Sequence, residues 1–327
     1  RKAAAAIESS KVFAKELMRK YGIPTAKCKA FEKFDEAVSF LEKMDCPVVI
    51  KADGLALGKG VIIASSREEA EAALESIMVE KKFGSAGDRV LIEEFLTGPE
   101  VSILAFTDGK TVVPMVSSQD HKRAYDHDEG PNTGGMGAFS PSPNYTPEVA
   151  SYVERHIIRP TIEAMNKEGR TFKGVLYFGL MLTSDGPKVL EYNARFGDPE
   201  TQVVLPRLKT DLPDIMEAVI EERLDRITVE WEEDTAVCVV IASGGYPVKY
   251  EKGFPIHGLE EIEKVNDIQV FHAGTKRTGT GLVTDGGRVL GVTAMGKTLK
   301  EAAARVYRHI GTINFKGMHY RKDIGTK

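Results

Sequence analysis

The segment VLEYNARFGDPE, Val189 to Glu200, places a carboxylate and a carboxamide two residues apart, at Glu191 and Asn193. Residues i and i+2 of a strand share a face, so both oxygen donors project the same way. Hard oxygen ligands of this kind suit Mg²⁺, which is usually held by one or two protein groups together with substrate phosphates. Arg195 and Asp198 follow, able to fix the carboxylate and the ammonium of a small zwitterion. Each residue alone has a plain surface reading, but the ordered set is much less expected by chance. A second group lies in VVIKADGLALGKGVIIA, Val48 to Ala64, where Lys51 ends an apolar run and Lys59 sits in a glycine-rich loop. A lysine buried at a strand end needs an anionic partner, and a phosphate would supply one. GLALGK is not a P-loop: it is one residue short, Gly60 follows the lysine, and a strand rather than a helix comes next. Such a loop can fold over a nucleotide as a flap, its backbone N–H groups and Lys59 meeting phosphate oxygens. On this window alone an ordinary glycine hairpin with solvated lysines reads equally well. In LIEEFLTGPE a strand runs into a turn with Glu93 and Glu94 at its end and Glu100 just beyond. That hinge can offer backbone groups to an adenine edge and a carboxylate to ribose hydroxyls; exposed strand-end charges are the plain alternative.

These groups need particular elements to hold them. Ser9 or Ser10 caps a helix with Phe13, Leu17 and Tyr21 at i, i+4 and i+8, stopped by Gly22 and Pro24. A second helix spans Asp35 to Met44, and Pro47 starts the strand PVVIK, which VIIA follows after the loop. Ser66 and Glu69 stand in capping-box register ahead of another helix. Strands RVLIEEF, EVSILAF and TVVPMV come next, then a polar stretch from Ser117 to Asn144, expected to be a long functional loop. Thr146 and Pro147 open a helix towards Asn166 with a bend at Pro160. GVLYFGLML and KVLEY form a hairpin about TSDG, and Asp211 to Glu222 forms a further helix. From Leu224 onward TAVCVVIAS, VFHAG, RVLGVTAM and a helix over Leu299 to Ile310 describe a separate α+β lobe. The expected division is a linker and first helix over 1–19, a flap subdomain over 20–95, a core with the metal and substrate site over 96–223, and a C-terminal domain over 224–327.

With 327 residues the chain is long enough for two or three such units. Its 44 basic and 48 acidic residues are interspersed, so nothing resembles a nucleic-acid footprint. No apolar run approaches the ~18 residues of a membrane span. The three cysteines are widely spaced, with no CxxC pair, which argues against a disulfide framework or a zinc site and for reduced thiols in the cytoplasm. RKAAAAIESSK lacks the apolar core of a signal peptide.

KADGLALGKG, QDHKR with GPNTGGMGAFSP, LEYNARFGDPETQ and the closing YRKDIG together resemble the signatures of the phosphoribosylamine–glycine ligases of the ATP-grasp superfamily, over essentially the whole chain. The resemblance implies an α+β ATP-grasp fold, two lobes gripping ATP, followed by a smaller C-terminal α+β domain. It implies ligation of glycine to 5-phosphoribosylamine with ATP and Mg²⁺ or Mn²⁺. By similarity Lys11 and Lys51 contact the ATP phosphates, and the loop from Gly54 through Gly58, Lys59 and Gly60 closes over them. Glu93, Glu94, Phe95 and Leu96 hold adenine, Glu100 the ribose, and Glu191 and Asn193 the metal. Asp120, His121, Lys122 and Arg123 line the glycine and phosphoribosylamine side. So do Asn132, Thr133, Gly134, Gly135, Met136 and Gly137, and Arg195, Gly197, Asp198, Pro199 and Glu200. Lys59, Arg195 and Asp198 are the residues expected to act on the reacting groups. The family's additional α/β domain ahead of the SSK helix is not in this sequence, so the expectation is a monomer or one part of a larger polypeptide. Position 127 is His where the family more often has Gly, and the strand LYFGLML carries no acidic metal ligand. Other readings are an ATP-grasp carboxylase and a nucleotide-binding fragment inactive by itself.

Overall fold

The computed structural model describes residues 2–54, 60–279 and 281–326, so the expectations for Gly58 and Lys59 lie outside the described residues. In chain order the strands are β1 (Cys28–Phe31), β2 (Val48–Ala52), β3 (Val61–Ala64), β4 (Val90–Glu94), β5 (Glu100–Thr107) and β6 (Val112–Pro114). They continue as β7 (Gln119–Asp120), β8 (Arg123–Tyr125), β9 (Glu129–Asn132), β10 (Gly137–Ser140), β11 (Gly174–Thr183) and β12 (Gly186–Asn193). The last are β13 (Thr235–Ala242), β14 (Ile268–His272), β15 (Thr275–Thr278), β16 (Gly281–Thr284) and β17 (Arg288–Gly296). The chain divides into two compact units, residues 1–114, 146–195 and 216–227 in the first, and 115–145, 196–215 and 228–327 in the second. Both are α+β.

The first unit holds two antiparallel sheets, ordered β1-β4-β2-β3 and β12-β11-β5-β6. In the former, Val48, Ile50, Ala64, Ala70, Leu74 and Ile92 form a core under the helix Arg67–Leu74. Ser66 Oγ accepts from Glu69 N at 3.3 Å as the capping box requires, while the Glu69 carboxylate reaches one residue past the cap and accepts from Ser65 N at 2.8 Å. Lys51 pairs with Val61 across β2 and β3, and Ala52 N donates to Gly60 O at 2.8 Å, so the glycine loop leaves and returns on adjacent strands. The expected first helix runs Lys11–Tyr21, behind a short helix at Ala6–Ser9, with Ser10 as N-cap and Gly22 (φ 68°) as C-cap. Its buried face is Val12, Ala14, Lys15, Leu17 and Met18 rather than the Phe13–Leu17–Tyr21 stripe. Phe13 instead lies 4.6 Å beneath the Arg170 guanidinium. The helix opened by Pro147 widens into a π turn over Glu154–Ile158 and resumes as Arg159–Lys167. Pro160 has no N–H for the ladder, which accounts for the π turn found where a bend was expected.

In the second unit, the stretch expected to be a long loop carries strands. Its β7 and β10 complete the sheet β14-β17-β13-β10-β7, and β8 pairs with β9 as a hairpin. These strands are two to four residues long, too short for alternation to show in the sequence. Residues 115–145 and 196–215 thus pack with the C-terminal lobe, which is larger than the expected 224–327. Its core gathers Phe139, Val237, Val239, Ile241, Val292, Ala302, Val306 and Ile310.

The departure at position 127 has a backbone explanation. His127 (φ 60°) and Asp128 (φ 58°) are both left-handed, a conformation glycine adopts without the steric cost of a Cβ. The His127 N–H donates to Asp323 Oδ2 at 3.0 Å, a bond that glycine retains. His127→Gly is therefore expected to stabilise the protein by roughly 0.5–1 kcal/mol, read as a higher urea midpoint.

Candidate active site

In the first unit the expected phosphate-side residues converge. Lys11, at the first position of its helix, donates to Ala52 O at 3.0 Å and Gly54 O at 2.7 Å, holding the entry to the glycine loop. Burial pushes its pKa down; Lys51 adds to that, while Glu191, Asp53 and Glu93 oppose it, so all these charges act on one another. Lys51 Nζ donates to Leu190 O at 3.2 Å. That carbonyl belongs to a bulge, since Gly179 faces Glu191 and Leu180 faces Val189, leaving Leu190 as the extra residue.

Beyond the bulge the predicted common face holds. Glu191 is exposed and Asn193 half-buried, while Tyr192 between them is buried on the opposite side with its hydroxyl 2.9 Å from Thr161 Oγ1. Gly179 leaves room beside the carboxylate: a Cβ there would lie 3.2 Å from Glu191 Cγ. Among the described residues no group of three or more His, Cys, Asp or Glu could hold a metal. One carboxylate and one amide oxygen on a common face do fit a hard cation whose remaining ligands come from phosphates and water.

Two residues that sequence reasoning missed hold this arrangement. Glu8 accepts from Ala194 N at 2.9 Å and Arg195 Nε at 3.2 Å, and Arg195 NH2 reaches Asn193 Oδ1 at 3.4 Å. Asp53 accepts from Val12 N at 3.1 Å and Arg89 NH2 at 2.6 Å, placing a carboxylate at the N-terminus of the first helix. Nothing local signals either pairing.

The hinge differs from its expectation. Glu93 is 2% exposed and turned inward, its Oε2 at 2.9 Å from Lys15 Nζ and 3.1 Å from Lys51 Nζ. The anion beside Lys51 is therefore a protein carboxylate, and the Glu93 backbone lies within the ladder, opposite Cys28 on β1 and Val49 on β2. Glu94 Oε1 accepts from Lys27 N at 2.9 Å. Phe95 is partly exposed, Leu96 packs with Ala26, Met181 and Leu190, and Glu100 starts β5 opposite Met181. Gly60 is buried at the loop's return.

The expected substrate residues, Arg195 excepted, lie in the second unit, and its backbone brings the three motifs together. His121 N donates to Gly137 O at 2.9 Å, Met136 N to His121 O at 2.8 Å, and Thr133 N to Lys122 O at 2.7 Å. Gly135 (φ 113°) packs where a Cβ would sit 2.4 Å from Pro199 Cδ and 2.6 Å from Asp120 Oδ1. Asp198 is exposed and Glu200 buried, with Glu200 Oε2 2.5 Å from where a Cβ on Gly197 would lie. Arg123 and Asn132 face each other on the exposed hairpin. Met136, just ahead of β10, is 0% exposed, its N–H donating to His121 O at 2.8 Å and its C=O accepting from Val240 N at 3.0 Å.

Arg288, on β17, was not singled out by the sequence. It donates to Gly134 O at 2.7 Å, Asp198 O at 2.9 Å and Asp198 Oδ2 at 3.0 Å, fastening the glycine turn to RFGDPE. Tyr246 OH takes Gly134 N–H at 2.9 Å, and Gln202 reaches Asp198 Oδ1 at 2.9 Å. Gly135→Ala is expected to cost about 1–3 kcal/mol of stability. Gly169→Ala, left-handed (φ 68°) but with nothing within 4 Å of its Cβ, is expected to cost only about 1 kcal/mol. Paired urea titrations check the difference.

Two family models match the chain, the ATP-grasp (A) domain of phosphoribosylglycinamide synthetase over residues 9–201 and its C domain over residues 236–327. The phosphoribosylamine–glycine ligase of Halalkalibacterium halodurans is 53% identical over 326 residues, covering 100% of this chain and 75% of that protein. The trifunctional purine biosynthetic protein adenosine-3 of Gallus gallus is 52% identical over 324 residues, covering 98% of this chain and 32% of that protein. The crystal structure of the Thermotoga maritima phosphoribosylamine–glycine ligase superposes with a TM-score of 0.87 at 37% identity, over 98% of this chain and 79% of that one. No helix among the described residues is long and apolar enough to cross a membrane. With the ATP-grasp and C-domain models accounting for most of its length and full-length likeness at about half identity, the chain belongs to the phosphoribosylamine–glycine ligase family.

Proposed function

We propose that this chain joins glycine to 5-phosphoribosylamine with cleavage of ATP to ADP and phosphate, giving glycinamide ribonucleotide for purine synthesis. The observation that carries the reading is the convergence of Lys11, Lys51 and Glu191 at the base of the glycine loop in the first unit. The glycine carboxylate attacks the γ-phosphoryl group to form glycyl phosphate and ADP, and the amine of phosphoribosylamine then displaces phosphate. No protein nucleophile is needed; the residues position the reactants and neutralise developing charge. Lys11 and Lys51 hold phosphate oxygens. Gly58 and Lys59, outside the described residues, keep their expected phosphate role, and Gly60 marks the return of that loop to β3. Glu191 and Asn193 would hold Mg²⁺ or Mn²⁺, which supplies charge neutralisation at the phosphates when bound. The segment Glu93 to Leu96, through the backbone beyond the ladder, takes adenine and Glu100 the ribose. Arg195 and Asp198 address the glycine carboxylate and an amine, with Asp120 to Arg123, Asn132 to Gly135 and Gly197 to Glu200 lining the substrates.

Free cysteines and the small-molecule substrates support a cytoplasmic setting, as a monomer or as part of a multifunctional polypeptide. The test is ADP release with each substrate omitted in turn. The expected result is turnover only with glycine and phosphoribosylamine both present; ATP binding that neither substrate turns into ADP release would sink the ligase reading.

A further inference from the structure

We propose that Lys15 is a positioning residue that acts through the Glu93 carboxylate to release Lys51 for a nucleotide phosphate; this rests on the reading of Lys51 as a phosphate ligand. Three charged side chains meet in the interior of the first unit, two cations on one carboxylate oxygen. Lys15, Lys51 and Glu93 are 4%, 8% and 2% exposed, and Glu93 Oε1 is buried with no hydrogen-bond partner among the described residues. The two lysines are held differently. Lys15 comes from the buried face of the first helix and donates to Thr25 Oγ1 at 2.7 Å, and Thr25 in turn donates to Val189 O at 2.6 Å. Lys51 comes from the strand that enters the glycine loop, and its second bond is the longer one to the bulge carbonyl of Leu190.

The charge balance gives this asymmetry a consequence. A buried carboxylate needs one cation, and stranding it is costly. Lys15 alone satisfies that need, so the trio carries a surplus positive charge on Lys51, which can turn to a phosphate without leaving Glu93 unpaired. Without Lys15, Lys51 becomes the only counter-ion of Glu93 in the trio, and binding phosphate competes with that pair. Burial pushes the Glu93 carboxyl up and the Lys15 ammonium down. The two lysines outweigh burial at Glu93 and hold it below the usual carboxylate range.

The experiment measures ATP affinity by calorimetry and the KM values for ATP and glycine, in the wild type and in Lys15→Met, Lys15→Arg, Glu93→Gln, Lys15→Met with Glu93→Gln, and Lys51→Met. Lys15→Met is expected to weaken ATP roughly 10-fold with the glycine KM unchanged. Lys15→Arg keeps ATP affinity, and the double variant returns to that of Glu93→Gln alone, because neutralising Glu93 removes the competition. Loss of ATP affinity in Lys51→Met with none in Lys15→Met overturns the proposal and leaves the nucleotide reading standing. No effect of Lys51→Met overturns both. A Lys15→Met defect spread equally over ATP and glycine, and not reversed by Glu93→Gln, assigns Lys15 to folding alone and overturns the proposal.

Discussion

Glu191→Ala is expected to lower turnover by roughly 10²-fold or more, the scale of losing one preorganised charge partner, in an assay of ADP release with both substrates present. The fold should survive the change. Glu191 is exposed, and what anchors its strand is Tyr192, buried on the other face against Thr161, and the ladder to β11. The carboxylate also faces Lys11 electrostatically, and its removal takes away a charge that offsets the burial of that ammonium. Glu191→Gln separates the two contributions, since it keeps shape and an oxygen donor but loses the charge. Raising the Mg²⁺ concentration should recover part of the Gln variant's rate and little of the Ala variant's. A near-wild-type rate for Glu191→Ala would remove the residue from the site.

Arg321→Met should destabilise the second unit by about 3–5 kcal/mol, the range for breaking a buried ion pair from one side. Arg321 is 0% exposed and meets Asp323 through two bonds, Nε to Oδ1 at 2.8 Å and NH2 to Oδ2 at 2.7 Å. Its remaining nitrogen reaches Asp128 Oδ1 at 2.9 Å and Arg123 O at 3.2 Å, tying the C-terminal segment to the hairpin of β8 and β9. Methionine fills much of the volume but leaves Asp323 buried without its cation. Trp231, the single tryptophan, lies in this unit, so its fluorescence in a urea titration reads the loss.

The same pair makes a pH prediction. Burial would push the Asp323 carboxyl up, but the Arg321 guanidinium and the His127 N–H more than reverse that and hold it well below the usual carboxylate range. A carboxyl depressed on folding contributes stability that is present above its unfolded value, near 4, and is lost as pH falls towards its folded value. Wild-type stability should therefore drop between about pH 4 and pH 2, and Arg321→Met, having lost the pair already, should drop less over that window.

Local physics made much of the first unit legible. The cap at Ser10, the stop at Gly22, the capping box at Ser66 and Glu69, the strands on either side of the glycine loop and the hairpin of β11 and β12 each depend on residues a few positions apart. The common face of Glu191 and Asn193 was legible for the same reason, because the period of a strand needs no knowledge of its neighbours. The stretch from Ser117 to Asn144 was not, since strands of two to four residues are recognised by what they pair with, and β10 pairs with β13 about a hundred residues later.

What the sequence determined by itself was therefore the strand–loop–strand unit with its lysines, the oxygen pair on β12 and, through the motifs, membership of a ligase family. The tertiary structure alone decided which charges are buried and what answers them. Lys51 and Lys15 are both met by Glu93, Asp53 sits on a helix terminus 41 residues away, and Arg288 holds Asp198 from 90 residues further along. A lysine or an aspartate reads the same in a sequence whether water or another side chain satisfies it. Only once folding excludes the water does the cost of an unpaired charge select the partner.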